Sequence, residues 1–349
     1  MISRRHSRDV AEQVVSRLDV LTAAEGSDGF INPGAIGAFG PLGGAVYAMA
    51  HIGALWGDQS LLDVADRIVG CVDGVVPTDP HLDIISGASG LIMALAAIER
   101  ARPGGPSLGV MRRCAERLLA TATPRGDGIA WQTRLDATQP LTGFSHGASG
   151  MAVGLVTAGA VLGESRYVDA ALAAMRYERS TLDSAAANWP DYRILDRGRV
   201  PEMPSLMWSW CHGAPGIGLA RLVTLQHTRD ANARGDLDIA IASTVANGFF
   251  SNDSLCHGDL GNLELLLRAR EDGFGGAWEA TLAAEASRLV ERLARGEWRC
   301  GIPGGVETPG LMMGLAGIGY GILRLGATER IPSLLSLEAP RHAAPRGES

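Results

Sequence analysis

Six apolar segments of about three helical turns recur along the chain, and each begins with Gly-x-x-Gly. A helix that is apolar on most of its faces is buried, so each segment predicts a buried helix. Repeats of this kind are typical of proteins built from one supersecondary unit. The six segments are residues 40–50, 87–97, 147–157, 213–223, 258–268 and 314–324.

Amphipathic segments lie between the apolar ones, with apolar residues at helical spacing and Arg, Asp and Glu between them. Strand signals are nearly absent, so the repeating unit is a helical hairpin with one amphipathic outer helix and one apolar inner helix. The amphipathic segments with the plainest spacing are residues 58–73, 107–122, 165–180 and 277–294.

The pattern predicts an all-α fold, a closed α/α toroid (double α-barrel) of six to seven helical hairpins. An open superhelix fits the same pattern. We favour closure because glycine at the start of each inner helix lets backbones crowd at the mouth of a ring. The toroid is expected as a single domain over residues 1–330, with 331–349 as an unstructured tail.

Composition and charge narrow the class of protein. The chain has 349 residues with a formal charge of −7 and no basic run, so nucleic acid is not an expected partner. No segment approaches the roughly 20 apolar residues of a membrane span, and no apolar segment follows the N-terminal arginines as in a secretory signal. Five cysteines in a long chain do not suggest a disulfide framework. We therefore expect a cytoplasmic protein.

The reactive residues stand just before the Gly-x-x-Gly starts. They are Asp83, His146, the pair Cys211-His212 and the pair Cys256-His257. In a closed ring these positions lie around one rim, where free N–H groups and positive helix ends converge. The sequence therefore predicts a site at the N-terminal ends of the inner helices.

Cys211, Cys256 and His257 are the expected ligands of one zinc ion per chain. Two thiolates and one imidazole leave the fourth position open, as in catalytic zinc sites. His212 can supply the imidazole instead, and Cys300 is open as a fourth ligand. Two interpretations compete with a zinc site. The cysteines can be buried and unreactive, or Cys211 and Cys256 can form a disulfide.

His146 is a candidate acid–base because imidazole titrates near neutral pH; the alternative is a bond to the helix backbone. For Asp83 the alternative is helix capping.

A zinc site with an open position binds and deprotonates a thiol, which favours thiol chemistry. Hydrolysis by zinc-bound water is the competitor. Cys71 and Cys114, within amphipathic segments, are expected to be packing residues.

The strings GFSHGASG, SWCHGAPGIGLAR, LCHGDLGN and PGLMMGLAGIGY, in this order, resemble the lanthionine synthetase C-like family. The likeness covers residues from about 30 to 326 and is greatest to the cyclase domain of class II lanthipeptide synthetases. It implies an α/α toroid with one zinc that adds cysteine thiols to dehydroalanine and dehydrobutyrine of a precursor peptide, forming thioether rings.

Position by position, the resemblance assigns zinc to Cys211, Cys256 and His257, and catalytic roles to His146 and Asp83. His212 follows the first zinc cysteine as in the class II domains, and we expect it to assist proton transfer. The implied partners are a dehydrated precursor peptide and a separate dehydratase. Two other functions stay open: addition of glutathione or another thiol to dehydrated residues, and peptide binding by a toroid without turnover.

Overall fold

The inner and outer helices predicted from the sequence are present in the computed structural model, which describes residues 13, 16, 33–133, 136–194 and 203–341. Over this part of the chain the α-helices are α1 (Pro41–Trp56), α2 (Gln59–Val72), α3 (Ala88–Ala101), α4 (Ser107–Thr121), α5 (Ala148–Leu162), α6 (Ser165–Ser180), α7 (Ala214–Leu225), α8 (Ala231–Asn247), α9 (Asp259–Glu271), α10 (Trp278–Ala294) and α11 (Leu315–Gly326). Short 3-10 helices cover Pro33–Ala35, Asp73–Thr78 and Pro303–Gly305.

Each Gly-x-x-Gly segment forms a helix that begins one residue after its first glycine, at Pro41, Ala88, Ala148, Ala214, Asp259 and Leu315. The alternation of inner and outer helices is also confirmed by burial. In α9 every residue from Asp259 to Ala269 is buried, whereas α10 buries only Leu282 and Leu289. The apolar helices are thus the core, and the amphipathic helices cover it.

The chain divides into two units by its internal contacts. Unit one contains residues 1–120, 157–164 and 339–349, and unit two contains 121–156 and 165–338. In unit one, α1 packs against both α2 and α3. In unit two, α7 packs against α8 and α9, and α9 also contacts α10 and α11. Helix α5 begins in unit two, and its residues from Thr157 onward belong to unit one.

Two small antiparallel sheets interrupt the helices of unit two. Strands β1 (Thr123–Arg125) and β2 (Gly128–Ala130) form a hairpin. Strands β3 (Pro190–Asp191) and β4 (Ser205–Leu206) pair with Asp191 opposite Ser205. The second sheet leads directly into the segment that carries Cys211.

Side chains from other segments bind the first N–H groups of the inner helices. The residue before α1, α3, α7, α9 and α11 is glycine, which supplies no side-chain cap. In unit one the N–H of Ala88 donates to Asp79 Oδ2 at 2.7 Å. In unit two the N–H of Ala214 donates to Asn188 Oδ1 at 2.8 Å. These buried acceptors satisfy helix N–H groups that a local Ser or Asp would otherwise cap.

A buried ion cluster holds the start of α5, directly after His146. Glu178 accepts hydrogen bonds from the N–H of Gly143 at 2.8 Å and from the hydroxyl of Ser149 at 2.5 Å. The Arg221 guanidinium contacts Glu178 at 2.9 Å and Asp236 at 3.1 Å. Because these groups are fully buried, each charge depends on its partners for stabilisation.

The second glycine of the repeat lies where a side chain would overlap neighbouring main chain. A Cβ on Gly216 would overlap the carbonyl oxygen of Trp210, and a Cβ on Gly261 would overlap that of Leu255. Each carbonyl lies six residues upstream in the loop that turns back over the helix start. The glycine therefore admits the chain's own preceding loop. At Gly90 a Cβ would also lie 2.4 Å from the backbone nitrogen of Ala38, so there the glycine admits the main chain of the preceding repeat as well, the kind of crowding that we expected.

The segment expected as an unstructured tail is ordered over its described part. Ser333, Leu335 and Leu337 are buried, and the indole N–H of Trp210 donates to the Leu335 carbonyl at 3.1 Å. Residues 342–349 lie outside the described residues. Among the described residues, no helix combines the length and the apolar character that a membrane span requires.

Candidate metal centre

A chain of backbone hydrogen bonds joins successive inner-helix starts in unit two. The N–H of Ser145 donates to Cys211 O at 3.2 Å, that of Cys211 to Cys256 O at 3.2 Å, and that of Cys256 to Met312 O at 2.9 Å. Each of these four residues stands two positions before the first glycine of its repeat. Equivalent repeat positions are therefore direct neighbours in this unit, as predicted.

The donor atoms of Cys211, Cys256 and His257 all lie within 4.8 Å of one another. Cys211 is buried, and the other two residues are half-buried. A hydrogen bond from the Cys256 thiol lowers the pKa of Cys211 to about 6, despite burial. The same bond, together with burial, raises the pKa of Cys256. The Cys211 thiol therefore loses its proton more readily than an ordinary cysteine, while the Cys256 thiol keeps its proton.

This donor set fits zinc. Tetrahedral zinc with sulfur at about 2.3 Å and nitrogen at about 2.0 Å places its ligand atoms about 3.5 Å apart, within the span measured here. Thiolate and imidazole are the ligand types of structural and catalytic zinc sites. Cys300 is buried but lies outside this group of three. Three protein ligands are the number found in catalytic zinc sites.

The carbonyl of Gly301 fixes which nitrogen of His257 is available. His257 Nε2 lies 2.9 Å from Gly301 O. A carbonyl oxygen only accepts, so Nε2 carries the proton and Nδ1 keeps its lone pair. A Cβ on Gly301 would lie 2.6 Å from Ser254 Oγ and 2.9 Å from His257 Nε2. Glycine is therefore the residue that lets this carbonyl reach the imidazole.

His146 and His212 are neighbours, with ring centroids 6.2 Å apart. His146 is half-buried, whereas His212 is 1% exposed. His212 Nε2 lies 3.3 Å from Ser145 Oγ, and the Ser145 hydroxyl donates to Cys211 O at 3.0 Å. Burial lowers the pKa of His212 to about 3. His212 is thus a neutral, enclosed imidazole next to Cys211 in the chain.

Asp191 and Arg193 form an ion pair next to His212. Asp191 Oδ1 lies 3.8 Å from His212 Nδ1. Arg193 donates from Nε to Oδ1 at 3.0 Å and from Nη2 to Oδ2 at 2.6 Å. Burial alone would raise the pKa of Asp191, but the hydrogen bonds and charge of Arg193 hold it below its ordinary value. Asp191 is therefore a buried carboxylate that contacts both a cation and an imidazole.

Asp83 lies in unit one, in the turn before α3. It is 4% exposed, and its Oδ1 accepts the N–H of Ser86 at 2.7 Å. The carboxylate thus supports its own turn, as the capping alternative anticipated for an Asp near a helix start. The other five predicted site residues belong to unit two.

Sequence reasoning missed Ser145, Asp191, Arg193 and Gly301. Ser145 has the repeat position of the cysteines but is not a residue type that suggests a metal ligand. The other three come from loops or strands outside the repeat. Cys71 and Cys114 lie within outer helices, where packing residues were expected. Cys114 is buried within α4, and Cys71 is half-buried within α2. Burial raises the pKa of the Cys114 thiol, which makes it unreactive.

The sequence matches the family model described as lanthionine synthetase C-like protein over residues 3–336. The chain belongs to this family. A curated relative is the lacticin 481/lactococcin biosynthesis protein LcnDR2 of Lactococcus lactis subsp. lactis, 24% identical over 265 residues. That alignment covers 72% of this chain and 25% of the relative, so the chain spans about a quarter of the length of that protein.

Among solved structures, nisin cyclase matches with a TM-score of 0.69 and 16% identity, over 96% of this chain and 86% of that one. This likeness confirms the fold class, all-α of the α/α-toroid kind. A GH76 α-mannanase of Bacteroides thetaiotaomicron matches with a TM-score of 0.54 and 12% identity, covering 92% of this chain and 95% of that one. A fold shared with a mannanase does not by itself specify chemistry, so function is argued from the site.

Proposed function

We propose that the protein is a zinc-dependent lanthionine cyclase. It adds cysteine thiols to dehydroalanine and dehydrobutyrine residues of a precursor peptide and so forms (methyl)lanthionine thioether rings. The observation that carries this proposal is the set of Cys211, Cys256 and His257, with donor atoms within 4.8 Å of one another. Membership of the lanthionine synthetase C-like family supports the reaction class.

Cys211, Cys256 and His257 would hold one zinc ion, His257 through Nδ1. When bound, zinc lowers the pKa of an incoming peptide thiol so that it is a nucleophile at neutral pH. The Gly301 carbonyl orients the imidazole through Nε2. Two thiolate donors make the ion a weaker Lewis acid, which disfavours hydrolysis as the competing reaction.

His146 is the proposed acid–base. Attack of the peptide thiolate on Cβ of a dehydro residue forms the C–S bond and moves the double-bond electrons toward Cα and the adjacent carbonyl. A proton must then reach Cα, and the overall addition releases nothing. His146 is half-buried, so its ring can both reach a bound peptide and exchange protons with solvent.

Asp83 and His212 complete the proposed catalytic set. The role of Asp83 rests on its match to the family's catalytic aspartate in the segment DIISGASG. His212 is buried against Ser145 and beside Asp191. This placement supports assistance to His146 by positioning the site rather than by direct contact with the peptide.

The partners follow from the chemistry. The addition needs a carbon–carbon double bond that the proposed site does not make, so a separate dehydratase activity must supply the dehydrated precursor. The printed name of the relative LcnDR2, a lacticin 481/lactococcin biosynthesis protein, supports a peptide product. The cytoplasm is the proposed location because all five cysteines are free thiols.

Two alternatives share parts of this site. A relative that joins glutathione to dehydrated residues would use the same zinc set, whereas a peptide-binding toroid would need no zinc. The complete donor set, together with His146 beside His212, favours an enzyme over the binding protein.

Metal analysis and one incubation separate the three functions. The purified protein should contain one zinc per chain. With a dehydrated, cysteine-containing peptide, cyclisation removes thiols that react with alkylating reagents and leaves the mass unchanged. A mass increase of one glutathione, seen only when glutathione is present, would indicate intermolecular addition. Peptide binding without zinc and without either change would overturn the enzyme proposal.

A further inference from the structure

Exposed apolar side chains concentrate beside the metal centre. Among the described residues, six of the eleven large apolar side chains that are exposed lie in two loops of unit two or at the end of the second loop. One loop, residues 248–258, joins α8 to α9 and carries Cys256 and His257. The other, residues 295–314, joins α10 to α11 and carries Gly301. We call the six side chains the apolar rim: Phe250, Trp298, Val306, Leu311, Met313 and Leu315.

Main-chain hydrogen bonds join the second loop to the metal donors. The N–H of Cys256 donates to Met312 O at 2.9 Å, and the N–H of Gly301 donates to Met313 O at 2.7 Å. The carbonyl of Gly301 in turn bonds the imidazole of His257. The apolar rim therefore begins at the donor set itself.

The two loops are also bonded to each other. The N–H of Asp253 donates to Arg299 O at 2.8 Å, and the N–H of Arg299 donates to Asp253 Oδ2 at 2.6 Å. Within the second loop, the indole N–H of Trp298 donates to Glu307 at 2.5 Å, which brings Val306 close to the tryptophan. Side chains far apart in sequence thus form one surface. Large exposed apolar surfaces mark binding sites more often than they occur by chance.

Both aromatic rings of the apolar rim are held in place. Arg288 Cζ lies 4.4 Å from the ring centroid of Phe250, and Arg288 is itself fixed by Asp259 at 2.8 Å and Glu285 at 2.6 Å. Trp298 is fixed by the bond from its indole nitrogen. An aromatic side chain that is already ordered loses little conformational entropy when a ligand covers it.

The backbone of Phe250 adopts a conformation that favours glycine. Its φ is 78°, in the left-handed region that a bulky residue rarely occupies. The next residue is tied to the metal-site helix, because the Ser251 N–H donates to Asp259 at 3.2 Å and its hydroxyl to His257 O at 3.3 Å. The side chain of Phe250 is nevertheless 70% exposed. Strain of this kind clusters at functional sites, which indicates a role for the exposed ring.

We propose that the apolar rim binds the apolar side chains that flank the reacting cysteine of the precursor peptide. This rests on the proposed cyclase function. Consecutive Cα atoms are about 3.8 Å apart, so a thiol at the metal brings its neighbouring residues onto the surrounding surface. The peptide is thus the occupant that the chemistry delivers to this surface. A second copy of the chain or a lipid surface seated there would obstruct the metal centre.

Two synthetic peptides test the proposal. Each contains one dehydroalanine and one cysteine, and they differ only in having leucine or glutamine on both sides of the cysteine. Because apolar burial contributes only to the first peptide, wild-type KM should be about 10-fold lower for the leucine peptide, with similar kcat. Equal KM values for the two peptides would overturn the proposal without requiring any variant to fold.

Phe250→Gly separates the ring from the fold. Glycine accepts the positive φ without strain, so the melting temperature should be unchanged or higher and zinc should stay at one per chain. KM for the leucine peptide should rise by about 10-fold, while kcat and KM for the glutamine peptide stay unchanged. A merely structural phenylalanine would lower the melting temperature, or would change KM for both peptides equally, and either result contradicts the proposal.

Val306→Ser and Leu323→Ser form a matched pair. Both side chains are 59% exposed, but Leu323 lies in the last turn of α11, at the opposite end of that helix from the apolar rim. KM for the leucine peptide should rise by about fivefold in Val306→Ser and stay at the wild-type value in Leu323→Ser. Equal effects of the two changes would show that position on the rim is irrelevant.

Other occupants of the apolar rim give different results. A wild-type dimer that Phe250→Gly converts to a monomer, with KM unchanged, would assign the surface to a second copy and overturn the proposal. Binding to phosphatidylcholine vesicles that the variant loses, again with KM unchanged, would do the same. If the wild-type protein neither cyclises the peptides nor adds glutathione, the proposed function fails, whereas turnover of both peptides with equal KM refutes the role of the rim alone.

Discussion

The backbone N–H of Cys211 donates to the carbonyl oxygen of Cys256 across 3.2 Å. The two cysteines lie 45 positions apart in sequence, each two residues before the first glycine of its repeat. Because the main chains are bonded at this point, the sulfurs are held together by the fold itself. The donor set for a metal is therefore assembled by the repeat and needs no rearrangement of the helices.

Loss of any one donor should release the metal. Cys211→Ala, Cys256→Ala and His257→Ala each leave two ligands, too few for tight zinc binding, and zinc should fall from one per chain to a small fraction. Elemental analysis of the dialysed proteins measures this. Cys300→Ala removes a buried thiol outside the donor set and should keep its zinc. Zinc loss in Cys300→Ala would show that the ligand assignment is incomplete.

Gly301 should matter for metal affinity although it is not a ligand. In Gly301→Ala the methyl group would lie 2.9 Å from His257 Nε2, so the imidazole or the carbonyl must move. We expect zinc affinity to fall by about 10- to 100-fold, the range for loss of a group that orients a ligand. Competition with a chelator measures it. Gly319→Ala is the control, because a Cβ there meets nothing within 4 Å.

His146→Ala should separate chemistry from metal binding. His146 is not in the donor set, so the variant should keep one zinc per chain. Turnover should fall by about 10²- to 10⁴-fold, as for loss of a general acid–base. Zinc analysis and the cyclisation assay on the same sample give both values. A variant that lost its zinc would show instead that His146 supports the metal site.

The buried ion cluster should be essential to stability. Arg221→Met leaves Glu178 buried without its cation and leaves Asp236 with Arg179 alone. Breaking a buried pair in this way costs about 3–5 kcal/mol. Urea unfolding measures the change. Arg234→Ala removes an exposed i,i+4 pair with Asp238 and a cation–π contact with Phe274. It should change the free energy of unfolding by about 1 kcal/mol or less. Equal effects in both variants would contradict this account of the cluster.

Much of the fold was predictable because helix burial is recorded in local periodicity. The Gly-x-x-Gly segments placed all six inner helices, and the amphipathic segments placed α2, α4, α6 and α10 to within about two residues. One part of the reason for the second glycine was not predictable. It depends on how the preceding loop returns over the helix start, as at Gly261 and Leu255.

The candidate site was predictable to the extent that it follows the repeat. Cys211, Cys256 and His257 precede glycines in two copies, so equivalence in sequence became proximity in space. His212 has the same repeat position as His257, yet it is enclosed by Ser145 and Asp191. Only packing distinguishes the two histidines. The catalytic roles of His146 and Asp83 stay predictions.

The sequence by itself determined the helical hairpins, the family and the residues offered as zinc donors, because each depends on local pattern or on residue type at a repeated position. Tertiary structure alone decided which groups orient and support those donors. Gly301 reaches His257 from 44 residues away, and Arg193 lies beside Met207 through the pairing of two short strands. Such contacts depend on where loops return in space, and a loop carries no periodicity from which its return can be read.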